Sequence, residues 1–209
     1  GTPVREEFLF AKRQEARQAL GLGEEPLVVS CWGSLGAREM NKKIAQFMKC
    51  ECEENTPFHH IHATGSFGWR WMPEYVKELG VDLAAHPRID MREYIYDMPQ
   101  VLAAADLIIC RAGAATIAEV CASGTPCIMV PSPNVTGNHQ EKNARVLERS
   151  GAAAVVREAD CDGKSLYETA KAILSDAGRM RAMRASARDM AVVDAAERIY
   201  QTALDLAKH

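Results

Sequence analysis

Short apolar runs alternate along the chain with longer segments in which apolar residues recur every three or four positions. Runs of this length bounded by Gly, Pro and polar residues are typical of strands, and the longer pattern is typical of amphipathic helices. The predicted strands are Leu27 to Cys31, Phe58 to Ala63, the more polar Arg88 to Tyr94, Leu107 to Cys110, Cys127 to Val130, and Ala152 to Val156.

Helices are predicted in the segments between and after these strands, and Gly21 and Gly23 end the first of them. Strands that alternate with helices through short loops indicate an α/β fold with a Rossmann-like, doubly wound parallel sheet of about six strands. The predicted helices are Arg5 to Leu20, Arg38 to Glu53, Met72 to Leu79, Met98 to Ala105, two that begin near Ala114 and His139, Asp162 to Ser175, Ala177 to Met190, and Val192 to Ala207.

Composition narrows the class of protein. The 209 residues, 47% of them hydrophobic, fit a single domain over 1–209. A net charge of −3 without a long basic run argues against a nucleic-acid partner. The seven cysteines form no paired framework, which favours reduced thiols in a cytosolic protein. Cys50 and Cys52 lie near His59, His60 and His62, but a strand would point His59 away from the other two, and no metal site is predicted.

The two ends of the chain suggest a piece of a longer protein. It begins at Gly1 without an initiator Met, and residues 1–5 read as an interdomain linker. The last helix, 192–208, carries an apolar stripe through Val192, Ile199 and Leu206. That stripe is predicted to pack either on its own domain or on an N-terminal domain outside this sequence.

The loop from Gly33 to Ala37 is the first candidate for ligand binding. Its glycines allow close approach of a phosphate, and the following helix offers free N–H groups, although a tight turn alone would also require glycine. The next strand ends in Ala63-Thr64-Gly65 and lacks the acidic residue that holds an adenosine ribose, so a nicotinamide dehydrogenase is disfavoured.

Polar side chains also follow the two strands near residues 110 and 130. Glu119 can accept both hydroxyls of a vicinal diol, although a helix dipole alone also favours an acid near a helix start. Arg111 can pair with a phosphate or with an acidic neighbour. The amides of Gln140 and Asn143 suit sugar hydroxyls, with helix capping by Asn138 as the simpler alternative. Because these loops share one edge of the sheet, together they predict a sugar or nucleotide site.

The combined pattern resembles the C-terminal domain of the MurG family of bacterial N-acetylglucosaminyltransferases, and the resemblance runs nearly end to end. The chain departs from the family at Trp32 and Thr2, where Gly and Asn are common, and at Ala112, which replaces a frequent Ser. The residues that carry the resemblance are Pro3-Val4-Arg5, Gly33 to Arg38, Ala105-Asp106-Leu107, Arg111 to Ala114, Thr116 to Glu119, Gly124-Thr125-Pro126, His139-Gln140, Asn143-Ala144 and Gly151-Ala152-Ala153.

The resemblance implies the C-terminal half of a GT-B glycosyltransferase, which binds UDP-N-acetylglucosamine. It implies transfer of N-acetylglucosamine with inversion to the C4 hydroxyl of the membrane-anchored acceptor lipid I, giving lipid II for peptidoglycan. The acceptor and the general base would belong to the N-terminal half, and neither metal nor cofactor is implied. The location implied is the inner face of the bacterial plasma membrane, reached only through that other half.

Roles for individual residues also follow from the resemblance. Arg5 and Ser34 would contact the diphosphate, within a loop that includes Gly33 and Gly36. Tyr94 and Ile95 would flank the uracil. Glu119 would bind the ribose, and the remaining implied binding residues are Arg111, Gly113, Ala115 and Thr116 near the nucleotide and His139, Gln140 and Asn143 near the sugar.

Two alternatives remain open from the sequence. A UDP-N-acetylglucosamine 2-epimerase would share the architecture, but it needs acid–base residues facing the sugar, and only His139 is placed for that role. A non-catalytic donor-binding subunit that works with a separate partner is the other. For the chain alone, the resemblance implies weak binding of the donor without turnover.

Overall fold

The computed structural model describes residues 1–207, in which six parallel strands form one sheet with helices on both faces. The strand order is β3-β2-β1-β4-β5-β6, which confirms the predicted doubly wound, Rossmann-like fold. All five neighbouring pairs are parallel. The strands are β1 Leu27–Cys31, β2 His59–Ala63, β3 Ile89–Arg92, β4 Leu107–Cys110, β5 Cys127–Met129 and β6 Ala153–Val155.

Helices connect the strands and complete the two outer layers. Asp162 and Ser165 form a capping box at the start of α9, and Gly124 ends α7 in the left-handed conformation. The helices are α1 Glu7–Phe10, α2 Arg13–Ala19, α3 Arg38–Glu54, α4 Ser66–Trp69, α5 Met72–Glu78, α6 Met98–Ala104, α7 Ala114–Ser123, α8 His139–Arg149, α9 Gly163–Leu174, α10 Ala177–Asp189 and α11 Ala195–Leu206, with 3-10 turns at Thr136–Asn138 and Glu158–Asp160.

The prediction of one helix from Arg5 to Leu20 is wrong. Ala11 and Lys12 are extended and divide the segment into α1 and α2. Phe8 and Ala16 are both buried, whereas a continuous helix would turn positions eight apart by roughly 80° from each other. The extended link allows both short helices to pack against α6.

Smaller differences lie at the ends of elements. The third strand runs over Ile89–Arg92 rather than from Arg88 to Tyr94. The second and fifth strands each lose one residue at one end, and the sixth loses one at each end. The helix α4, which the sequence did not predict, follows Gly65. The last helix begins at Ala195 rather than Val192, and position 208 of its predicted range lies outside the described residues.

Two hydrophobic cores lie on opposite faces of the sheet because successive strand residues point to opposite sides. Val29 and Ile108 pack with α1, α2, α6, α7 and α8 on one face. Val28 and Ile109 pack with α3, α5 and α9 on the other. Since both faces are covered, the strands are nearly continuous runs of apolar residues, as expected for a parallel sheet.

A polar cluster is buried between β1, β2 and α3. The hydroxyl of Ser30 lies 2.7 Å from both His60 Nε2 and His62 Nδ1, and His60 Nδ1 lies 2.9 Å from Glu51 Oε2. His59, in contrast, is only half-buried. The predicted separation of His59 from the other two histidines is thus confirmed.

The helix α11 buries little of its apolar surface. Only Ala195 of this helix is buried, while Ile199 and Leu206 are 54% and 73% exposed. Packing on its own domain therefore accounts for little of the predicted stripe. Within residues 1–207, no helix has both the length and the apolar character that crossing a membrane requires.

Candidate functional site

A cavity of about 690 Å³ lies at the carboxyl ends of β1 and β4, where the strand order reverses. This is the position at which open α/β sheets bind ligands, and the volume is within the usual range for small-molecule sites. The residues that line it are Arg5, Cys31, Trp32, Gly33, Ser34, Ala63, Tyr94, Ile95, Tyr96, Met98, Leu102, Ile108, Arg111, Gly113, Ala115, Thr116, Glu119 and Gln140.

The loop between β1 and α3 forms one wall of this cavity. Gly33 has φ +85, with no atom within 4 Å of the point that a Cβ would occupy, and Ser34 is exposed beside it. Gly36 has φ +80 and packs against the backbone of Thr64, so it shapes the loop without lining the cavity. No side chain caps the start of α3 at Ala37, which leaves the N-terminal N–H groups of this helix available to a ligand.

The start of α7 forms the facing part of the wall. Gly113 precedes the helix, and no side chain caps it there. Ala115 and Thr116, in the first turn, also line the cavity. The start of α7 therefore borders the cavity, and its N-terminus adds partial positive charge that favours an anionic group.

Glu119 lies one turn further along α7 and contributes the carboxylate that lines this cavity. Burial raises the pKa of Glu119, and the positive charge of Arg5 partly opposes the rise. Arg5 is exposed and its guanidinium lies 5.3 Å from the centroid of the Phe8 ring. A half-buried carboxylate facing a cation can accept hydrogen bonds from the hydroxyls of a polar ligand.

Tyr94, Ile95 and Tyr96 follow β3 and form an aromatic rim. Ile95 is buried, while Tyr94 and Tyr96 are 45% and 84% exposed. The two tyrosine rings meet edge to face with centroids 5.0 Å apart. The exposed tyrosine rings offer a surface on which a planar base can stack.

Of the three residues predicted near the sugar, only Gln140 lines the cavity. Its Oε1 accepts a hydrogen bond of 2.9 Å from Ser132 N, so its NH₂ group remains as a donor. His139 is exposed, with Nδ1 2.9 Å from Thr136 O. Asn143 donates to Ala112 O at 3.3 Å and faces a separate groove beside Gly1. Ligand roles for His139 and Asn143 stay predictions.

Arg111 forms an ion pair with the acidic residue Glu158. Its Nη1 lies 2.6 Å from Glu158 Oε2 and donates to Val130 O at 3.1 Å. Its guanidinium carbon lies 5.6 Å from the centroid of the Trp32 ring, and that indole is buried. Arg111 also lines the cavity, so the two predicted roles, pairing with an acid and facing a ligand, do not exclude each other.

Several residues in or beside the cavity were not predicted. Cys31 ends β1, and burial, aided by the charge of Glu119, raises the pKa of its thiol to about 12, so it is a neutral thiol and a poor nucleophile at neutral pH. Tyr96 was detectable as an aromatic residue two positions after Tyr94. Glu158 lay beyond sequence reasoning because its contact with Arg111 spans 47 positions, and it was part of no motif. Within residues 1–207, no cluster of His, Cys, Asp or Glu is arranged to hold a metal ion.

Comparison with known proteins identifies the family. The model of the glycosyltransferase family 28 C-terminal domain matches residues 27–199. The chain belongs to the glycosyltransferase family 28 C-terminal domain family. This match confirms, at the level of the family, the C-terminal glycosyltransferase domain that the resemblance implied. The residues that line the cavity lie within the matched range, except for Arg5, which precedes it.

Relatives of this family 28 domain carry a consistent name. A protein of Caldanaerobacter subterraneus subsp. tengcongensis is 42% identical over 202 residues, which are 96% of this chain and 54% of that protein. It is named UDP-N-acetylglucosamine--N-acetylmuramyl-(pentapeptide) pyrophosphoryl-undecaprenol N-acetylglucosamine transferase. The chain spans about half the length of the curated relatives it matches.

Solved structures agree with the fold of this family 28 domain. Acinetobacter baumannii MurG superimposes with a TM-score of 0.74 at 26% identity, covering 96% of this chain and 56% of that one. A putative UDP-N-acetylglucosamine 2-epimerase from Listeria monocytogenes reaches a TM-score of 0.64 at 16% identity, covering 87% and 45%. That second likeness shows the shared fold alone.

Proposed function

We propose that this chain is the donor-binding half of an inverting N-acetylglucosaminyltransferase that uses UDP-N-acetylglucosamine and the lipid-linked acceptor lipid I. The observation that carries the proposal is the cavity bordered by the glycine loop at Gly33, the uncapped N-terminus of α7, the carboxylate of Glu119 and the aromatic rim at Tyr94. Relatives named for this transfer, at up to 42% identity over nearly the whole chain, support the choice of donor and acceptor.

The diphosphate is assigned to the cationic part of the cavity. Arg5, the N–H groups at the start of α7, and the hydroxyl of Ser34 supply positive charge and donors there. As the bond to the sugar breaks, negative charge grows on the departing UDP. Donors fixed in advance stabilise that charge without reorganising, which is how this half would accelerate the reaction.

The ends of the donor are assigned to opposite parts of the cavity. The uracil stacks at Tyr94 and Ile95, and the ribose hydroxyls bind the carboxylate of Glu119. The N-acetylglucosamine extends toward Gln140, whose NH₂ group is left free by the bond between Oε1 and Ser132 N. The carboxylate of Glu119 can accept hydrogen bonds from the ribose hydroxyls. The NH₂ group of Gln140 can donate to the hydroxyl oxygens of the sugar.

The acceptor and the general base are assigned to a part of the protein outside this sequence. In support, the described cavity offers no unassigned general base. Burial holds the Cys31 thiol protonated. Glu119 is the one carboxylate that lines the described cavity, and the proposal uses it for the ribose. The exposed stripe of Ile199 and Leu206 on α11 is the surface we assign to contact with that part. Peripheral association with the inner face of the plasma membrane would come through the same part.

Donor selection tests the proposal directly. Calorimetric titration of the 209-residue chain should give tighter binding of UDP-N-acetylglucosamine than of UDP-glucose, and no binding of ADP-glucose. Equal affinity for all three would contradict it. The isolated chain should form no lipid II from lipid I, and measurable synthesis would contradict the assignment of the base to another part of the protein.

The 2-epimerase alternative makes a different prediction for the same chain. An epimerase needs acid–base groups at C2 of the sugar, and His139 lies outside the cavity. Incubation of the chain with UDP-N-acetylglucosamine should therefore leave the N-acetylglucosamine unchanged by NMR. Appearance of the C2 epimer would favour that alternative.

A further inference from the structure

Arg111, Glu158 and Trp32 form a connected group along the cavity wall. Two polar contacts hold Arg111, the 2.6 Å ion pair with Glu158 and the 3.1 Å hydrogen bond to Val130 O. Trp32 lies under the guanidinium at 5.6 Å. The side chains of Arg111 and Glu158 are only 14% and 18% exposed, so solvent screens the pair less than it would a surface pair.

Both polar contacts use the same nitrogen, Nη1 of Arg111. A guanidinium carries five N–H donors in a rigid plane. An ion pair and a hydrogen bond at one nitrogen, with the indole of Trp32 beside the guanidinium, restrict the direction of the remaining donors. Because Arg111 lines the cavity together with Gly33 and Ser34, its remaining edge is available to an anion held by that loop.

The backbone of Glu158 is held by a contact from α3. Lys43 of α3 donates to the backbone oxygen of Glu158 and also contacts Cys161 Sγ at 3.8 Å. Glu158 does not line the cavity that contains Arg111; it lines an adjoining cavity of about 600 Å³ with Lys43 and Ser132. Its carboxylate therefore reaches the donor cavity only through Arg111.

We propose that Glu158 is a positioning residue that holds the guanidinium of Arg111 over Trp32 so that Arg111 binds the diphosphate of the nucleotide. The inference rests on the proposed function, since it takes the ligand to be a uridine diphosphate compound. Preorganising the donor reduces the cost of ordering it when the anion binds.

Whether loss of the Glu158 charge weakens or strengthens ligand binding distinguishes a positioning role from simple charge repulsion. A carboxylate near a diphosphate repels it, so removing the charge of Glu158 would strengthen binding if repulsion were its main effect. If Glu158 positions Arg111, the same change weakens binding. Asp160 provides a matched control, because it belongs to the same turn, carries the same charge and pairs with Arg157 rather than Arg111.

The test compares UDP with uridine, which lacks the phosphates. Glu158→Gln should weaken UDP binding about fivefold, the loss expected for one disturbed hydrogen-bonded ligand group, and leave uridine binding unchanged. Asp160→Asn should bind UDP as tightly as the parent or more tightly. Arg111→Gln should lose at least as much UDP affinity as Glu158→Gln, and the double variant should lose no more than Arg111→Gln alone.

Three results would overturn the inference. The first is a Glu158→Gln variant that binds UDP as tightly as the parent or more tightly, and the second is an equal loss for UDP and uridine. The third is a parent chain that binds neither compound, which contradicts the proposed function as well. If Glu158→Gln does not fold by circular dichroism, Glu158→Asp replaces it; this variant keeps the charge but draws the carboxylate back from Arg111, and it should show the same selective loss of UDP.

Discussion

The hydroxyl of Ser30 lies 2.7 Å from Nδ1 of His62, and both side chains are fully buried between the sheet and α3. His62 Nε2 is also buried and has no hydrogen-bond partner among residues 1–207. A neutral imidazole can leave one nitrogen as a bare acceptor, whereas a protonated one must bury an unpaired N–H and a charge. Burial, together with the neighbouring His60, lowers the pKa of His62 well below its usual value.

Stability is therefore expected to depend on pH through His62. Because the folded-state pKa is below the unfolded value, the unfolded chain binds the extra proton, and stability is lost as pH falls from about 6.5 toward the folded pKa. The free energy of unfolding of the parent should decrease by up to about 1.4 kcal/mol per pH unit for this one proton. Urea unfolding at pH 7, 6 and 5 measures it.

His62→Gln should flatten this dependence, while His59→Gln should keep most of it. His59 is the matched control because it is on the same strand but only half-buried. Burial raises the pKa of Glu51, which acts in the opposite direction below neutral pH, but the residue is common to all the chains compared. A His62→Gln variant with the slope of the parent would disprove the role of His62.

Alternation of strands and helices was sufficient to predict the sheet, because buried parallel strands are short apolar runs that few other elements imitate. The break at Ala11 and Lys12 was not predictable in this way. Neither residue is Gly or Pro, and the break serves the packing of Phe8 and Ala16 against α6, a contact distant in sequence. Tertiary packing overrode a helical pattern that was correct locally.

Gly36 should be intolerant of any side chain. Its φ is +80, and a Cβ would lie 2.1 Å from the carbonyl oxygen of Thr64, which is backbone and cannot move aside cheaply. Gly36→Ala should therefore cost about 3 kcal/mol or more in the free energy of unfolding. Thermal unfolding of the variant measures this loss.

Gly80 is the matched control for Gly36, because it has the same backbone strain without the steric clash. Its φ of +81 is nearly the same, but no atom lies within 4 Å of a Cβ placed there. Gly80→Ala should cost only about 1–2 kcal/mol, the penalty of a left-handed residue. Equal losses in the two variants would show that the contact with Thr64 adds nothing.

The sequence could place most of the cavity residues at one edge of the sheet because they follow strands, and the carboxyl ends of parallel strands meet there. It could not distinguish Gln140, which lines the cavity, from His139, which does not. The two are adjacent at the start of α8, and the contacts of Gln140 with Ser132 N and of His139 with Thr136 O accompany their different directions. Contacts of this kind, such as that of Glu158, depend on loops whose paths the local sequence does not determine.

Glu119→Gln should weaken UDP binding without lowering the stability of the folded chain. Since burial raises the pKa of Glu119 in the folded state, its stabilising contribution is present below pH 4.5 and is lost as pH rises through the folded pKa. At pH 7 the ionised carboxylate is therefore a cost to folding, and the variant should melt at the same temperature or higher. UDP affinity should fall about tenfold or more, because charge-assisted bonds to the ribose are lost.

Glu148→Gln is the control for that experiment. Glu148 is an acid on the neighbouring helix α8 that pairs with Arg145 at 2.8 Å, outside the cavity. It should leave UDP affinity unchanged. A Glu119→Gln chain that bound UDP as tightly as the parent would remove the ribose assignment.

Gln140→Glu should weaken recognition of the sugar while keeping the loop in place. A glutamate can still accept the hydrogen bond from Ser132 N, but it loses the NH₂ donor that faces the cavity. The ratio of the UDP dissociation constant to that of UDP-N-acetylglucosamine should fall about fivefold. Repulsion from the new charge weakens UDP at least as much as UDP-N-acetylglucosamine, because the terminal phosphate of UDP carries more negative charge. A fall in the ratio therefore cannot come from repulsion. Lys142→Gln changes the net charge by the same amount at an exposed position of α8 and should leave the ratio unchanged; an unchanged ratio in Gln140→Glu as well would place the sugar elsewhere.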